Sequence, residues 1–173
     1  MSASSDILIS LAPAYTKAIL EGRKTVELRH RRIRIVSGTR VWLYSKVPIA
    51  KIEGIARVQL IREAAPMGLW SEYSDAAGIS RVEFDEYFRG CTIGCAIVLA
   101  RVHRIEPTLD LVTMRSKVKG FHPPQFIKKL RDNEVKILLH ASRPASMKKP
   151  KVNLKTPDRK FASRSPQKSP QWQ

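Results

Sequence analysis

The sequence predicts an α+β domain of strands and short helices, followed by a basic tail. Several segments alternate apolar and polar residues with a period of two, and others space apolar residues three and four apart, which are the patterns of strands and of helices. From residue 140 onward Pro, Ser, Lys and Arg dominate, so this stretch buries too little apolar surface to offset its ordering entropy. We therefore predict a folded domain over residues 6–139 and a disordered basic tail over 140–173.

The first predicted elements lead into a charged run. Residues 6–11 have the alternation of a strand, and Pro13 stands where a proline can open a helix. Gly22 is placed to end that helix in a left-handed conformation. A strand pattern follows, in which Val26 and Leu28 alternate with polar and charged residues.

The middle of the chain has the sequence pattern of further strands. Residues 30–35 are dense in arginine and either extend the preceding strand or begin its partner, before a turn at Gly38. Residues 40–45 and 52–61 are predicted strands. Gly54 interrupts the second of them, which indicates either a bend in the sheet or a place where another group approaches the backbone.

Two helices and a long strand come next. Residues 67–73 are predicted helical, and Ser80 with Glu83 three residues later has the spacing of a capping box that opens a second helix. Residues 96–105 are a predicted buried strand, closed by Pro107.

The last predicted elements of the domain are short. Residues 109–115 suit one or two helical turns, and Pro123 with Pro124 precedes a short predicted helix at 125–131. Residues 135–139 suit either a strand or a helix.

Several residues that suggest chemistry have simpler explanations. Phe84, Tyr87 and Phe88 share one face of the second helix, a spacing more typical of core packing than of base stacking. Cys91 and Cys95 are predicted to be thiols that pack as small core residues. The histidines lack metal-ligand spacing, and no glycine-rich phosphate loop occurs, so we predict no metal and no cofactor.

The net charge of the chain predicts the class of its partner. The chain has 32 Lys and Arg against 15 Asp and Glu, a formal charge of +17, and such a surplus indicates a polyanion, with nucleic acid first. No apolar run is long enough to span a membrane. The N-terminus lacks a secretion signal, which predicts a cytoplasmic protein. The oligomeric state stays open.

Residues 22–29 read Gly-Arg-Lys-Thr-Val-Glu-Leu-Arg, a G-x-K-x-x-E-x-R arrangement between a helix and a strand. This run resembles the signature of the ASCH domain family, a branch of the PUA-like β-barrels with RNA-linked functions. The resemblance covers residues 6–130 and implies a PUA-like mixed β-barrel with peripheral short helices. Further blocks carry it: residues 7–11, Val41-Trp42-Leu43-Tyr44-Ser45, Pro48, residues 83–88 and residues 123–126.

The resemblance implies a charged pocket for a nucleotide or a small polar ligand, lined by Lys24, Glu27, Arg29, Tyr44 and Ser45. In this pocket Glu27 would accept a hydrogen bond from a base edge. Lys24 and Arg29 would contact phosphate or carbonyl oxygen, and Tyr44 would stack on the base. An offset of three places Lys24 and Glu27 on opposite faces of a regular strand, so they converge only if Lys24 belongs to the turn. Otherwise they form a solvated strand edge.

These observations favour an RNA-binding protein over an enzyme. The predicted phosphate contacts are Arg31, Arg32, Arg34, Lys46, Lys148, Lys149 and Lys151. The alternative is an enzyme acting on RNA or on a modified nucleoside, with Lys24 and Glu27 as candidate catalytic residues of a ribonuclease or an acetylcytidine amidohydrolase. A protein-interaction module is the third interpretation.

The amidohydrolase alternative is the weaker of the two. Family members with that activity use a lysine, a threonine three residues later and a distant glutamate. Here Glu27 occupies the threonine position, and a carboxylate there removes the hydroxyl nucleophile. A ribonuclease is compatible with Lys24, Glu27 and Arg29 as acid, base and phosphate contact.

Overall fold

A computed structural model describes residues 6–144 of the chain. In order, its elements are β1 (Ile7–Leu11), α1 (Pro13–Leu20), β2 (Val26–Arg29), β3 (Arg40–Ser45), β4 (Lys51–Ala64), α2 (Pro66–Ala77), α3 (Arg81–Tyr87), β5 (Gly94–Asp110), α4 (Leu111–Lys117), β6 (Ile127–Lys129), α5 (Asp132–Ala141) and β7 (Arg143–Pro144).

Six of the strands form one sheet in the order β2-β5-β4-β3-β1-β6, and β7 pairs with β5. The pair β1–β3 is parallel, and the other pairs are antiparallel. Strands β2 and β6 end the path in the described part of the chain, so the curled sheet is a half-barrel with an open side. The predicted α+β fold, a PUA-like mixed β-barrel with peripheral short helices, is confirmed.

The sheet curls because its two longest strands are irregular. Strand β4 has 14 residues and strand β5 has 17, and the register of their pairing shifts at three places. A further shift lies between β3 and β4. Each such irregularity bends a strand and increases its twist, which turns the faces of the sheet around one interior.

Gly54 is a glycine because protein groups approach its backbone. A Cβ at this position would lie 2.5 Å from Leu20 Cδ2 and 2.8 Å from the His103 carbonyl oxygen. The register shift between Ile52 and Gly54 lies at the same place. Both explanations that the sequence left open, a bend and a close approach, therefore apply, and the approaching groups belong to α1 and β5.

Replacing Gly54 with alanine is expected to destabilise the protein by about 1–3 kcal/mol, the usual cost of overpacking a buried site. The side chain of Leu20 can move, but the backbone carbonyl of His103 cannot move without disturbing the sheet. Chemical denaturation would measure the loss. Gly68→Ala in α2 is the matched control, because its added Cβ meets only Ala64 Cβ at 3.5 Å; equal stability of both variants would contradict the packing argument.

The local signals at the helices are confirmed. Ser80 and Glu83 form the predicted capping box at the start of α3. Phe84 and Phe88 are buried in one apolar cluster with Leu69 of α2, whereas Tyr87 is 39% exposed. The core interpretation therefore holds for two of the three aromatic residues.

Two predicted strand boundaries are wrong. Residues 30–35 form no strand, and β2 ends at Arg29. Strand β5 continues through Pro107, which lies between Arg104 and Leu109 in a stretch where no residue pairs with β4. A proline is tolerated there because no partner needs its missing N–H.

The predicted helix at 125–131 is also wrong. Part of this segment is strand β6, which pairs with β1 through Ile7 and Lys129, so a distant partner overrides the local pattern. The segment 135–139, left open between strand and helix, is part of α5. Ordered elements continue past residue 139 to 144, and the predicted domain boundary itself stays a prediction.

The predicted tail begins within the described residues and continues beyond them. Lys148, Lys149 and Lys151 lie outside the residues that the structure describes. Within residues 6–144 no helix combines the length and the hydropathy needed to cross a membrane.

Candidate nucleic-acid site

A cavity of about 400 Å³ lies on the open side of the half-barrel. The end of β1, helices α1 and α3, strand β2 and the segment before β6 all contribute to its wall. Its charged lining residues have both signs, which suits a ligand that presents hydrogen-bond donors, acceptors and a negative charge. Its charged and aromatic lining residues include Tyr15, Lys24, Glu27, Arg29, Lys46, Tyr87 and Phe126.

Lys24 belongs to the turn before β2, as its convergence with Glu27 requires. Its side chain is 2% exposed, and its Nζ donates a hydrogen bond to the carbonyl oxygen of Ala77. The same Nζ lies 3.5 Å from Glu27 Oε2. The two side chains therefore meet inside the protein, and the solvated strand edge that the sequence left open is excluded.

Glu27 lies between two cations. Its Oε1 is 2.8 Å from an Nη of Arg29, while its other oxygen faces Lys24. Val26 and Leu28 point to the opposite side of β2 and pack in the apolar cluster of α2 and α3. The predicted alternation is present, but the charged side of the strand faces a cavity instead of open solvent.

Arg29 is held in place and still has capacity to bind. Its side chain is 9% exposed, and its Nε has no hydrogen-bond partner among the described residues. An unpaired buried N–H costs free energy comparable to that of a lost hydrogen bond. Arg29 lines the cavity, so its guanidinium is suited to an anionic or carbonyl oxygen of a ligand.

Burial lowers the pKa of the Lys24 amine, and the nearby Arg29 adds to the effect, while Glu27 opposes it. Desolvation disfavours a charged amine, so a buried lysine gives up its proton more readily than an exposed one. The ring of Tyr15 lies 5.1 Å from Lys24 Nζ. Lys24 therefore loses its proton at a lower pH than an exposed lysine does.

Three aromatic residues at the cavity, Tyr15, Tyr87 and Phe126, were not predicted as site residues. Tyr87 and Phe126 both line it, and they are 39% and 46% exposed, respectively. Burial raises the pKa of the Tyr87 hydroxyl. Helical spacing placed Tyr87 in the core together with Phe84, and residue 126 has no periodic pattern, so only the tertiary structure shows them as neighbours.

Tyr44 and Ser45 do not line the cavity, which corrects their predicted place in the pocket. Tyr44 is buried in the apolar cluster that contains Leu8 and Trp42, and Ser45 donates a hydrogen bond to Glu53. The physical reason is that β3 lies inside the sheet between β1 and β4, and Tyr44 is covered by core side chains. Only 4% of Tyr44 is exposed, which is too little for stacking a base.

The predicted phosphate contacts on the described residues fit their assignment to different degrees. Lys46 lines the cavity, with its Nζ 5.8 Å from the centre of the Phe126 ring. Arg31, Arg32 and Arg34 are exposed in the segment after β2. Arg32 already forms an ion pair with Glu63 at 2.9 Å.

No group of three His, Cys, Asp or Glu side chains within residues 6–144 is arranged to hold a metal ion.

Comparisons with known proteins identify the family. A family model described as a domain of unknown function (DUF365) matches residues 6–128. An ASCH domain-containing ribonuclease of Zymomonas mobilis is 32% identical over 134 residues, which are 78% of this chain and 90% of that protein. The chain belongs to the ASCH domain family. The predicted family resemblance is therefore confirmed.

Solved structures support the same assignment for this ASCH domain. The crystal structure of ASCH from Zymomonas mobilis has a TM-score of 0.77 at 30% identity, covering 82% of this chain and 98% of that one. The N-terminal domain of Staphylothermus marinus McrB has a TM-score of 0.52 at 12% identity, covering 79% and 93%. At that identity the second comparison shows a shared fold only.

Proposed function

We propose that this ASCH protein binds single-stranded RNA at the cavity and cleaves it there. The observation that carries the proposal is the buried cluster of Lys24, Glu27 and Arg29 at the cavity wall. A relative that is 32% identical is named a ribonuclease, which adds cleavage to the RNA binding that charge and family resemblance favour.

The cavity offers separate groups for the parts of a nucleotide. Glu27 and Arg29 present an acceptor and donors to a base edge or a phosphate, and Lys46 adds a cation at the same wall. RNA is read mainly through unstacked bases of single strands, which side chains can bind by hydrogen bonds and by stacking. A duplex cannot place a base in this cavity without unpairing it.

The same groups suit transfer of the phosphodiester to the neighbouring 2′-hydroxyl. In this reaction the neutral amine of Lys24 accepts the 2′-hydroxyl proton, the 2′-oxygen bonds to phosphorus, and the bond from phosphorus to the 5′-oxygen breaks. The 5′-oxygen takes a proton from water. Arg29 stabilises the negative charge on the phosphoryl oxygens, and Glu27 holds the Lys24 and Arg29 side chains in position.

The products test this proposal. Incubation of the full chain with single-stranded RNA should yield 2′,3′-cyclic phosphate and 5′-hydroxyl ends, which mass spectrometry distinguishes from other termini. The same sequence with 2′-O-methyl groups should stay intact, because it has no nucleophile. Intact RNA after prolonged incubation, or cutting of the 2′-O-methyl strand, would contradict the proposed reaction.

The protein is expected to lack acetylcytidine hydrolase activity. Glu27 stands at the position of the nucleophilic threonine, and the neighbouring Thr25 is exposed and does not line the cavity. Nucleoside mass spectrometry after incubation with acetylcytidine would measure turnover. Rapid deacetylation that disappears in Lys24→Ala would show that this expectation is wrong.

A further inference from the structure

A second cavity of about 140 Å³ adjoins the first one. The two share three lining residues, Arg29, Tyr87 and Phe126. Sites that enclose a whole drug-sized ligand run to roughly 300–1,000 Å³, so the smaller cavity suits a single planar ring system. A ligand in the first cavity therefore has a ring-sized space directly beside it.

The wall of the second cavity is a cluster of rings. His30 contacts Tyr87 edge-on with ring centres 5.1 Å apart and lies near Phe126 at 6.4 Å in a similar orientation. Buried Nδ1 of His30 has no hydrogen-bond partner among the described residues. Exposed aromatic faces can stack a base, and an unpaired ring nitrogen beside them can donate a hydrogen bond to the base or accept one from it.

A basic groove continues from the ring cluster. The small cavity shares Ile33 and Ile127 with a groove of about 500 Å³, whose wall also carries Arg34 and Lys129. Both cations are exposed. The three spaces thus form a path in which charged groups, aromatic rings and again charged groups follow each other.

We propose that His30, Tyr87 and Phe126 form a second nucleobase subsite, and that Arg34 and Lys129 hold the phosphate of the strand that leaves it. The bound RNA then spans at least two consecutive nucleotides, one in each cavity. This inference rests on the proposed function for the identity of the ligand as RNA. It adds a stacking subsite whose residues do not belong to the Lys24, Glu27 and Arg29 cluster.

The alternation of cations and rings favours a single strand of nucleic acid over other partners. Stacking on an aromatic ring tolerates any base, because every base has a π-face, while a basic groove follows the backbone. The cation of Lys46 near the Phe126 ring lies at the junction of the two cavities, where the linking phosphate of a dinucleotide would pass.

Binding of 2′-O-methyl RNA to the full chain tests the subsite without cleavage during the measurement. The probes are a fluorescent tetranucleotide and a matched strand in which one internal base is replaced by an abasic unit. Fluorescence anisotropy would give the dissociation constants for the wild type, Phe126→Leu and Tyr87→Leu. Lys117→Ala is the control, since Lys117 is exposed and lines none of these spaces.

The wild type is expected to bind the complete strand roughly 5- to 150-fold more tightly than the abasic strand, the range of one base–aromatic stack. Phe126→Leu should lose most of that preference while keeping the affinity for the abasic strand. An unchanged preference in both ring variants would overturn the subsite. This readout is a difference between two probes on one protein, so a partly unfolded variant cannot imitate it.

The subsite and the proposed function fail in different ways. If Lys24→Met abolishes cleavage and the ring variants leave base preference unchanged, the first cavity stands and the subsite is wrong. If the ring variants remove the preference and Lys24→Met cleaves normally, the subsite stands and the proposed reaction at Lys24 is wrong.

Discussion

Replacing Lys24 with methionine is expected to reduce RNA cleavage by about 10²- to 10⁴-fold, the contribution typical of a positioned acid–base group. Methionine has a similar length and no charge, so it retains the packing of the lysine stem against Gly78. Glu27 keeps its ion pair with Arg29. The folded structure should therefore survive, and the loss of stability should stay below the roughly 3–5 kcal/mol of a buried charge that is left without any partner.

Single-turnover cleavage of a labelled RNA measures the effect, and thermal melting of the same samples checks folding. Lys17→Met in α1 is the matched control, because its side chain is 69% exposed and its ion-pair partner among residues 6–144 is Glu21 at 4.0 Å. The control should cleave normally. If Lys24→Met remains folded and cleaves at the rate of the wild type, Lys24 is not the group that accepts the proton.

The pH dependence of the same reaction gives an independent test. Burial lowers the pKa of Lys24, so the neutral amine that accepts the proton becomes populated at lower pH than for a free lysine. The cleavage rate should rise with pH through that lowered pKa and then level off. Because the unfolded chain has the ordinary, higher pKa, the stability of the wild type relative to Lys24→Met should also rise with pH between the folded and unfolded values.

Removing residues 145–173 is expected to weaken binding of all single-stranded RNAs and to flatten its salt dependence. This segment contains eight Lys and Arg residues and one Asp. Cations that neutralise phosphates release counterions, and each contributes about 0.7 to the slope of log K against log salt for a single strand. With about five contacts, the slope should fall by roughly 3.5, equivalent to roughly a hundredfold change in affinity between 50 and 200 mM salt.

Anisotropy titrations of several 2′-O-methyl RNAs over a salt series would measure both quantities for the full and the shortened chain. Thermal melting should be unchanged, because α5 and β7 remain in a chain that ends at residue 144. Glu27→Gln is the contrasting variant: it should alter the preference among bases and leave the slope as it is. If the slope of log K against log salt is the same after truncation, the tail does not contact RNA phosphates as predicted.

Local sequence signals were sufficient wherever neighbours along the chain decide the structure. The capping box at Ser80 depends on residues three apart, and it forms as predicted. The turn after Gly22 brings Lys24 and Glu27 together within one short run. The family could also be inferred, because its signature is a contiguous run with a fixed order of charged residues.

Contacts between distant segments decided the rest of the candidate site. The sequence places Tyr44 in the pocket, but side chains of other strands and of α4 and α5 bury it in the core. Phe126 precedes a segment that became a strand only because β1 pairs with it. The role of Gly54 likewise depends on a side chain from α1.

The sequence by itself therefore determined the charge of the protein, its family and the core of the charged cluster, since each depends on composition or on residues a few positions apart. The tertiary structure alone decided which aromatic rings face the cavity and how enclosed the charged cluster is. Tyr87 and Phe126 are 39 residues apart in sequence and line one wall. A period along one helix or strand contains no information about such a pair, because the pair exists only after the sheet has curled and left one side open.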